Sequence, residues 1–106
     1  MSIKNVLRYI YMRVQIKPSP LINKKYVAIF IKDSAIVKTT HFGSAGMSDF
    51  TKHGDVERRK RYLARHSVRE DWNDMFSAGA LSRWILWNNR SFSDSVEDYK
   101  SRFSLK

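Results

Sequence analysis

Cysteine is absent from the 106-residue chain, which excludes disulfides and thiolate zinc sites and favours an intracellular setting. Acid is missing from the first 32 residues; the first carboxylate side chain is Asp33. No apolar run approaches the ~20 residues that a membrane-spanning helix requires. Internal repeats and low-complexity tracts are lacking as well. HExxH and comparable metal-binding spacings do not occur. Gly43-Ser-Ala-Gly46 lacks the Lys-Ser/Thr of a phosphate-binding P-loop, so its glycines read as a turn that needs positive φ.

What the sequence has in excess is positive charge. Twenty Lys and Arg stand against ten Asp and Glu, a formal net charge of +10. The distribution is uneven: residues 1–69 hold 15 basic and 4 acidic side chains, while residues 70–106 hold 5 and 6. Such asymmetry is the electrostatic footprint of a nucleic-acid or anionic-surface binder. Hydrophobic residues make up 42% of the chain and aromatic residues 13%, enough for a packed core and too much for a wholly disordered chain. The length fits one domain, 1–106, in which residues 1–20 form an arm or edge strand. The first sixteen residues, basic and acid-free, faintly resemble an organellar presequence but are expected to be retained.

Residues 9–17 are β-branched and aromatic and read as a strand, with a short helix over 2–12 as the alternative for its start. Pro18-Ser-Pro20 ends it. Lys25–Lys32 predicts a central strand, with Tyr26, Ala28 and Phe30 on one face and Val27, Ile29 and Ile31 on the other. Asp33-Ser34 predicts a tight turn and Ala35–Phe42 a third strand. Met47–Gly54 reads as a connection, and Asp55 as the N-cap of a helix running to about His66. Further helices are expected over Ser77–Asn88 and, after Ser91 as N-cap, over Phe92–Phe103. The fold class expected is α+β: a small three-stranded antiparallel meander followed by about three helices packing on one face.

The densest chemistry lies in Glu57-Arg-Arg-Lys-Arg-Tyr-Leu-Ala-Arg-His66. At 100° per residue Arg58, Arg61 and Arg65 fall within about 60° of one another. Arg69 extends the stripe if the helix continues. Val56 and Leu63 lie opposite, as docking residues. A guanidinium fork suits phosphate because it donates two parallel hydrogen bonds and keeps its charge. Tyr62 stands beside the stripe as a candidate to stack on a base or pack against a ribose, and Lys24, Lys25, Lys32 and Lys38 flank the hairpin. The bland alternative is a solvated face, or one neutralised by Glu70, Asp71 and Asp74. His41, Asp49 and His53, with His66 and Asp55 nearby, are the only candidates for a metal or hydrolytic centre, and no spacing supports one. Trp72, Trp84 and Trp87 read as core, and an exposed Trp87 would point to a protein interface.

Several of these segments together, His41-Phe-Gly-Ser-Ala-Gly-Met-Ser-Asp-Phe-Thr-Lys-His53, Asp55, Glu57-Arg-Arg-Lys-Arg-Tyr62, Arg65-His66 and Trp72, resemble a family of short basic proteins. These are encoded by nucleocytoplasmic large DNA viruses of algae and protists. Ala78-Gly-Ala-Leu-Ser-Arg-Trp-Ile-Leu-Trp-Asn88 and Ser95-Val-Glu-Asp-Tyr-Lys-Ser-Arg-Phe103 continue the likeness, which covers about residues 24–104. The N-terminal segment departs most. The resemblance implies a viral protein of the host cytoplasm or nucleus that is carried in the particle. It assigns no catalytic residue.

The function expected is therefore non-enzymatic: a virion-associated protein binding nucleic acid, duplex DNA foremost, through phosphates and without a cofactor. Arg58, Arg61, Arg65, Tyr62, Arg69, Lys24, Lys25 and Lys38 are the contact candidates. The alternatives are a minor capsid or cement protein bridging virion subunits and, third, a small metal-dependent nuclease using His41, Asp49 and His53.

Overall fold

A computed structural model describes residues 12–106. Strands β1 (Arg13–Pro18), β2 (Lys24–Lys32) and β3 (Ala35–Ser44) form an antiparallel meander in the order β1-β2-β3. The register places Val14 opposite Phe30, Ile16 opposite Ala28 and Tyr26 opposite Phe42. Because side chains alternate across a pleated strand, this alignment collects them on one face. The β2–β3 turn has Asp33 at φ 51° and Ser34 at φ 66°. Two residues of positive φ match the twist of a tight hairpin, and Asp is among the residues that tolerate them best.

Four helical segments follow. The short α1 (Phe50–His53) and the longer α2 (Val56–His66) are separated by Gly54, whose φ of 60° ends α1 in the left-handed conformation. Segment α3 (Ala78–Leu81) runs without a break into a π-helical turn, Ser82–Leu86, closed by Trp87 N–H donating to the Ser82 carbonyl at 3.0 Å. Helix α4 (Phe92–Arg102) is capped by Ser91, whose hydroxyl accepts from the Asp94 N–H.

The core lies between the sheet and α3–α4. Phe30, Phe42, Leu81, Ile85 and Tyr99 are fully buried in it. Phe92 stacks on Tyr26 at 4.8 Å and Phe76 meets Phe30 edge-on at 4.8 Å. Two side-chain donors lock the layers: Thr40 Oγ1 to the Phe76 carbonyl and Tyr99 OH to the Met75 carbonyl, each at 2.7 Å. At the outer edge of β1, Val14 N–H donates to Lys106 and Lys106 N–H to Met12, both at 2.9 Å. The C-terminal residues thus satisfy backbone groups that an edge strand would otherwise expose.

The α+β meander with helices on one face agrees with the sequence reading, and the differences are local. Residues 9–11 of the expected first strand, and 2–11 of the alternative helix, lie outside the described residues. Strand β3 continues past Phe42 to Ser44, with Gly43 at φ 79° inside it, whereas Gly46 has no positive φ. The connection after Gly46 contains α1, which the sequence reading passed over. The expected Ser77–Asn88 helix ends at Leu86 and changes pitch at Ser82. No helix among the described residues is long and apolar enough to cross a membrane.

A cationic cleft beside helix α2

Two aspartates start the helices that build the site. Asp49 caps α1: its carboxylate accepts from the Thr51 N–H at 2.9 Å and from the Thr51 hydroxyl. Asp55 caps α2, accepting from the N–H groups of Glu57 and Arg58 at 3.0 and 3.2 Å. The Arg58 N–H does most to hold the Asp55 carboxyl below its ordinary range, against the opposing effect of desolvation and with help from the Glu57 N–H. Fixing this cap fixes where the helix begins, and hence where its arginines point.

Helix α2 docks by Arg59, Tyr62, Leu63 and His66, the turn-spaced face that is buried or half-buried. Val56, expected to dock, is exposed; Tyr62 takes that role. Arg59 turns inward, its guanidinium 4.8 Å over the Phe50 ring and its Nη1 donating to the Asn88 carbonyl at 2.8 Å. Tyr62 lies parallel to Trp87 (4.1 Å, 6°) on one side and to His66 (4.0 Å, 21°) on the other. Two rings at such spacing and tilt must occupy opposite faces. Tyr62 therefore has no face left for a nucleobase, which corrects its expected stacking role. Trp87 is buried in the same stack and is not the exposed interface residue considered above.

Beside this stack opens a cleft of about 430 Å3. Arg58, Arg61 and Arg65 form one wall, with the edge of Tyr62. Lys24 and Lys25 of β2, Gly43–Ser44 of β3, and Gly79, Ser82 and Trp87 complete its lining. Gly43 is required here by geometry: besides its positive φ, an added Cβ would lie 2.9 Å from Leu86 Cδ1.

The cleft cations are not equivalent. Lys25 Nζ lies 2.5 Å from Asp49 Oδ2 in a pair that is almost wholly buried, so its charge is matched within the protein. Arg58, Arg61, Arg65 and Lys24 make no side-chain ion pair or hydrogen bond among the described residues. Nor does the sequence of residues 1–11 contain an acid. Glu70, Asp71 and Asp74 do not neutralise the stripe. Glu70 reaches the cleft but accepts from His66 Nδ1 and, at 3.4 Å, from Trp72 Nε1. Gly79 makes room for it, since a Cβ there would collide with the Glu70 carboxylate. The i,i+4 spacing of His66 and Glu70 was the available signal for this pair.

Two expected contact residues fall elsewhere. Helix α2 ends at His66, and Arg69 sits in the exposed turn beyond it, outside the cleft. Lys38 lies on β3 opposite Phe30, also outside. The residues of the nuclease alternative are dispersed. His41 Nδ1 shares a hydrogen bond with Ser19 Oγ at 2.8 Å, and His53 Nδ1 accepts the Asp55 N–H at 2.9 Å. Asp49 is held by Lys25. Among the described residues no three His, Asp or Glu side chains group as metal ligands.

Burial, and secondarily the Glu70 charge, push the Tyr62 hydroxyl up to about 12 from an ordinary 10.0. Burial raises Tyr99 in the same direction. A phenol whose folded pKa is raised adds stability that is intact below the unfolded value and is lost as pH climbs through the folded one. We expect stability to fall between pH 10 and 12, with Tyr62→Phe weakening that slope. A pH series of urea melts, with phenolate absorbance followed in parallel, checks this; an unchanged slope in Tyr62→Phe contradicts it.

No curated protein and no solved structure matches the chain. A family of unknown function, DUF5754, matches residues 14–66, the stretch from β1 to the end of α2 that supplies every unpaired cation of the cleft. The chain belongs to that family.

Proposed function

We propose that this protein binds nucleic acid through its phosphates, largely without reading sequence, as a non-enzymatic component of a large DNA virus particle. The observation that carries the binding is the convergence of Lys24, Arg58, Arg61 and Arg65 on one cleft with no acid paired to them. Leaving four like charges together is unfavourable in the free protein and is relieved by an anion. Guanidinium groups favour phosphate oxygens by geometry as well as charge. The closed faces of Tyr62 argue against base stacking as a source of affinity. The viral setting and a place in the particle rest on the sequence resemblance described above.

A salt titration of duplex DNA, RNA and heparin binding tests the proposal. With four cations engaged, log K should fall against log salt with a slope of about −3.6 on duplex DNA. Affinity that ignores salt, or no binding near physiological ionic strength, would overturn it. Heparin bound as tightly as DNA would show that charge density alone is recognised.

A further inference from the structure

We infer that the cleft takes a terminal phosphate, the phosphomonoester at a strand end, in preference to the internal phosphodiesters that a duplex presents at its rim. The inference rests on the phosphate-binding function proposed above and names its ligand. Shape comes first. A duplex carries its phosphates on a convex rod, and a rod cannot enter a hollow of about 430 Å3. That volume falls in the range of small-molecule sites, about 300–1,000 Å3. A rod meets the arginines and Lys24 only at the rim of the cleft, whereas a strand end can pass inside it.

Charge points the same way. An internal diester has one negative charge and two free oxygens. A phosphomonoester carries about −1.5 to −2 at neutral pH and presents three strong acceptor oxygens. Three unpaired guanidinium groups and an unpaired ammonium around one hollow exceed what one diester needs, and they suit a dianion.

The acid in the cleft excludes the remaining arrangement, a backbone threading straight through. Glu70 is fixed on the side of α3 by His66, Trp72 and the space over Gly79. A continuous strand would bring further phosphates past that carboxylate, where like charges repel. A strand that ends in the cleft places one phosphate on the cationic wall and none beyond. Both faces of Tyr62 are covered, so this ring offers the terminal base no stacking surface.

The test compares one short single-stranded oligonucleotide bearing a 5′-phosphate, a 3′-phosphate or only hydroxyl ends, alongside a nucleoside monophosphate, on the full chain. We expect one phosphorylated end to bind at least about tenfold tighter than the hydroxyl-ended strand. Arg61→Gln should abolish that preference, and Lys38→Ala, outside the cleft, should keep it. Equal, salt-dependent affinity for all three strands would overturn end recognition and leave phosphate binding standing. Binding of the monophosphate with none of any strand would assign the cleft to a free nucleotide and overturn the strand end as ligand. Binding of neither would overturn both this inference and the proposed function.

Discussion

Replacing Lys25 with Met is expected to cost about 3–5 kcal/mol of folding stability, the range for removing one partner of a buried ion pair. Asp49 is 1% exposed, and among the described residues its carboxylate is held, beyond Lys25, only by Thr51 at the cap of α1. Without the ammonium its charge is left in a site that water hardly reaches. Adding Asp49→Asn should recover much of the loss, because an amide oxygen still accepts the Thr51 N–H and carries no charge. Urea melts of the wild type, Lys25→Met and the double variant decide the matter. A Lys25→Met loss below 1 kcal/mol would mean that the pair is solvated in solution. The salt slope of DNA binding should hardly change in the double variant, since Lys25 is matched by Asp49 and is not one of the four unpaired cations.

The second large effect is on binding. Changing Arg58, Arg61 and Arg65 together to Ala should lower affinity for nucleic acid roughly a hundredfold, taking about 1 kcal/mol per contact. The slope of log K against log salt should become shallower by about 2.7 on duplex DNA. All three side chains are exposed, and Ala is the best helix former, so α2 should persist. The loss should be equal across sequences, because phosphate contacts carry no base information. Arg69→Ala and Lys38→Ala, each removing one charge outside the cleft, serve as controls for the contribution per cation. A triple variant that retains both affinity and slope would move the site elsewhere on the molecule.

The sheet was legible because its signals are local. The near-continuous apolar run in Lys25–Lys32 and a two-residue Asp-Ser turn leave few other pairings. The arginine stripe was legible for a similar reason: 100° per residue places Arg58, Arg61 and Arg65 together whatever the helix packs on. What it packs on was not. Hydropathy nominated Val56 and Leu63 as the inward face, yet Arg59, Tyr62, Leu63 and His66 carry the same helical spacing and three of them are polar. An arginine can dock by laying its guanidinium on a ring, as Arg59 does over Phe50 and Arg102 does 3.5 Å over Trp84. Half-buried cations of this kind defeat a reading that treats charge as exposure. They also set the cations held on aromatic rings apart from those that face the cleft. The concavity itself had no sequence signal, since Lys24 of β2 and Arg58 of α2, which both line it, lie more than thirty residues apart.

The π turn at Ser82–Leu86 sets the phase of everything after it. An α-helix advances 100° per residue, and a π turn absorbs about one extra residue in a single turn. Wound as regular α-helix, the same residues would swing Trp87 about 100° around the axis, off Tyr62 and out of the stack that floors the cleft. Leu81, which precedes the turn, would keep its place in the core, whereas Ile85 and Leu86 lie within it. A chain shortened by one residue within 82–86 would thus keep the core up to Leu81 and lose the alignment of Ile85, Leu86 and Trp87. The register of Trp87 against α2 is a one-residue vernier, set by the same turn that seats Ile85 and Leu86 in the core.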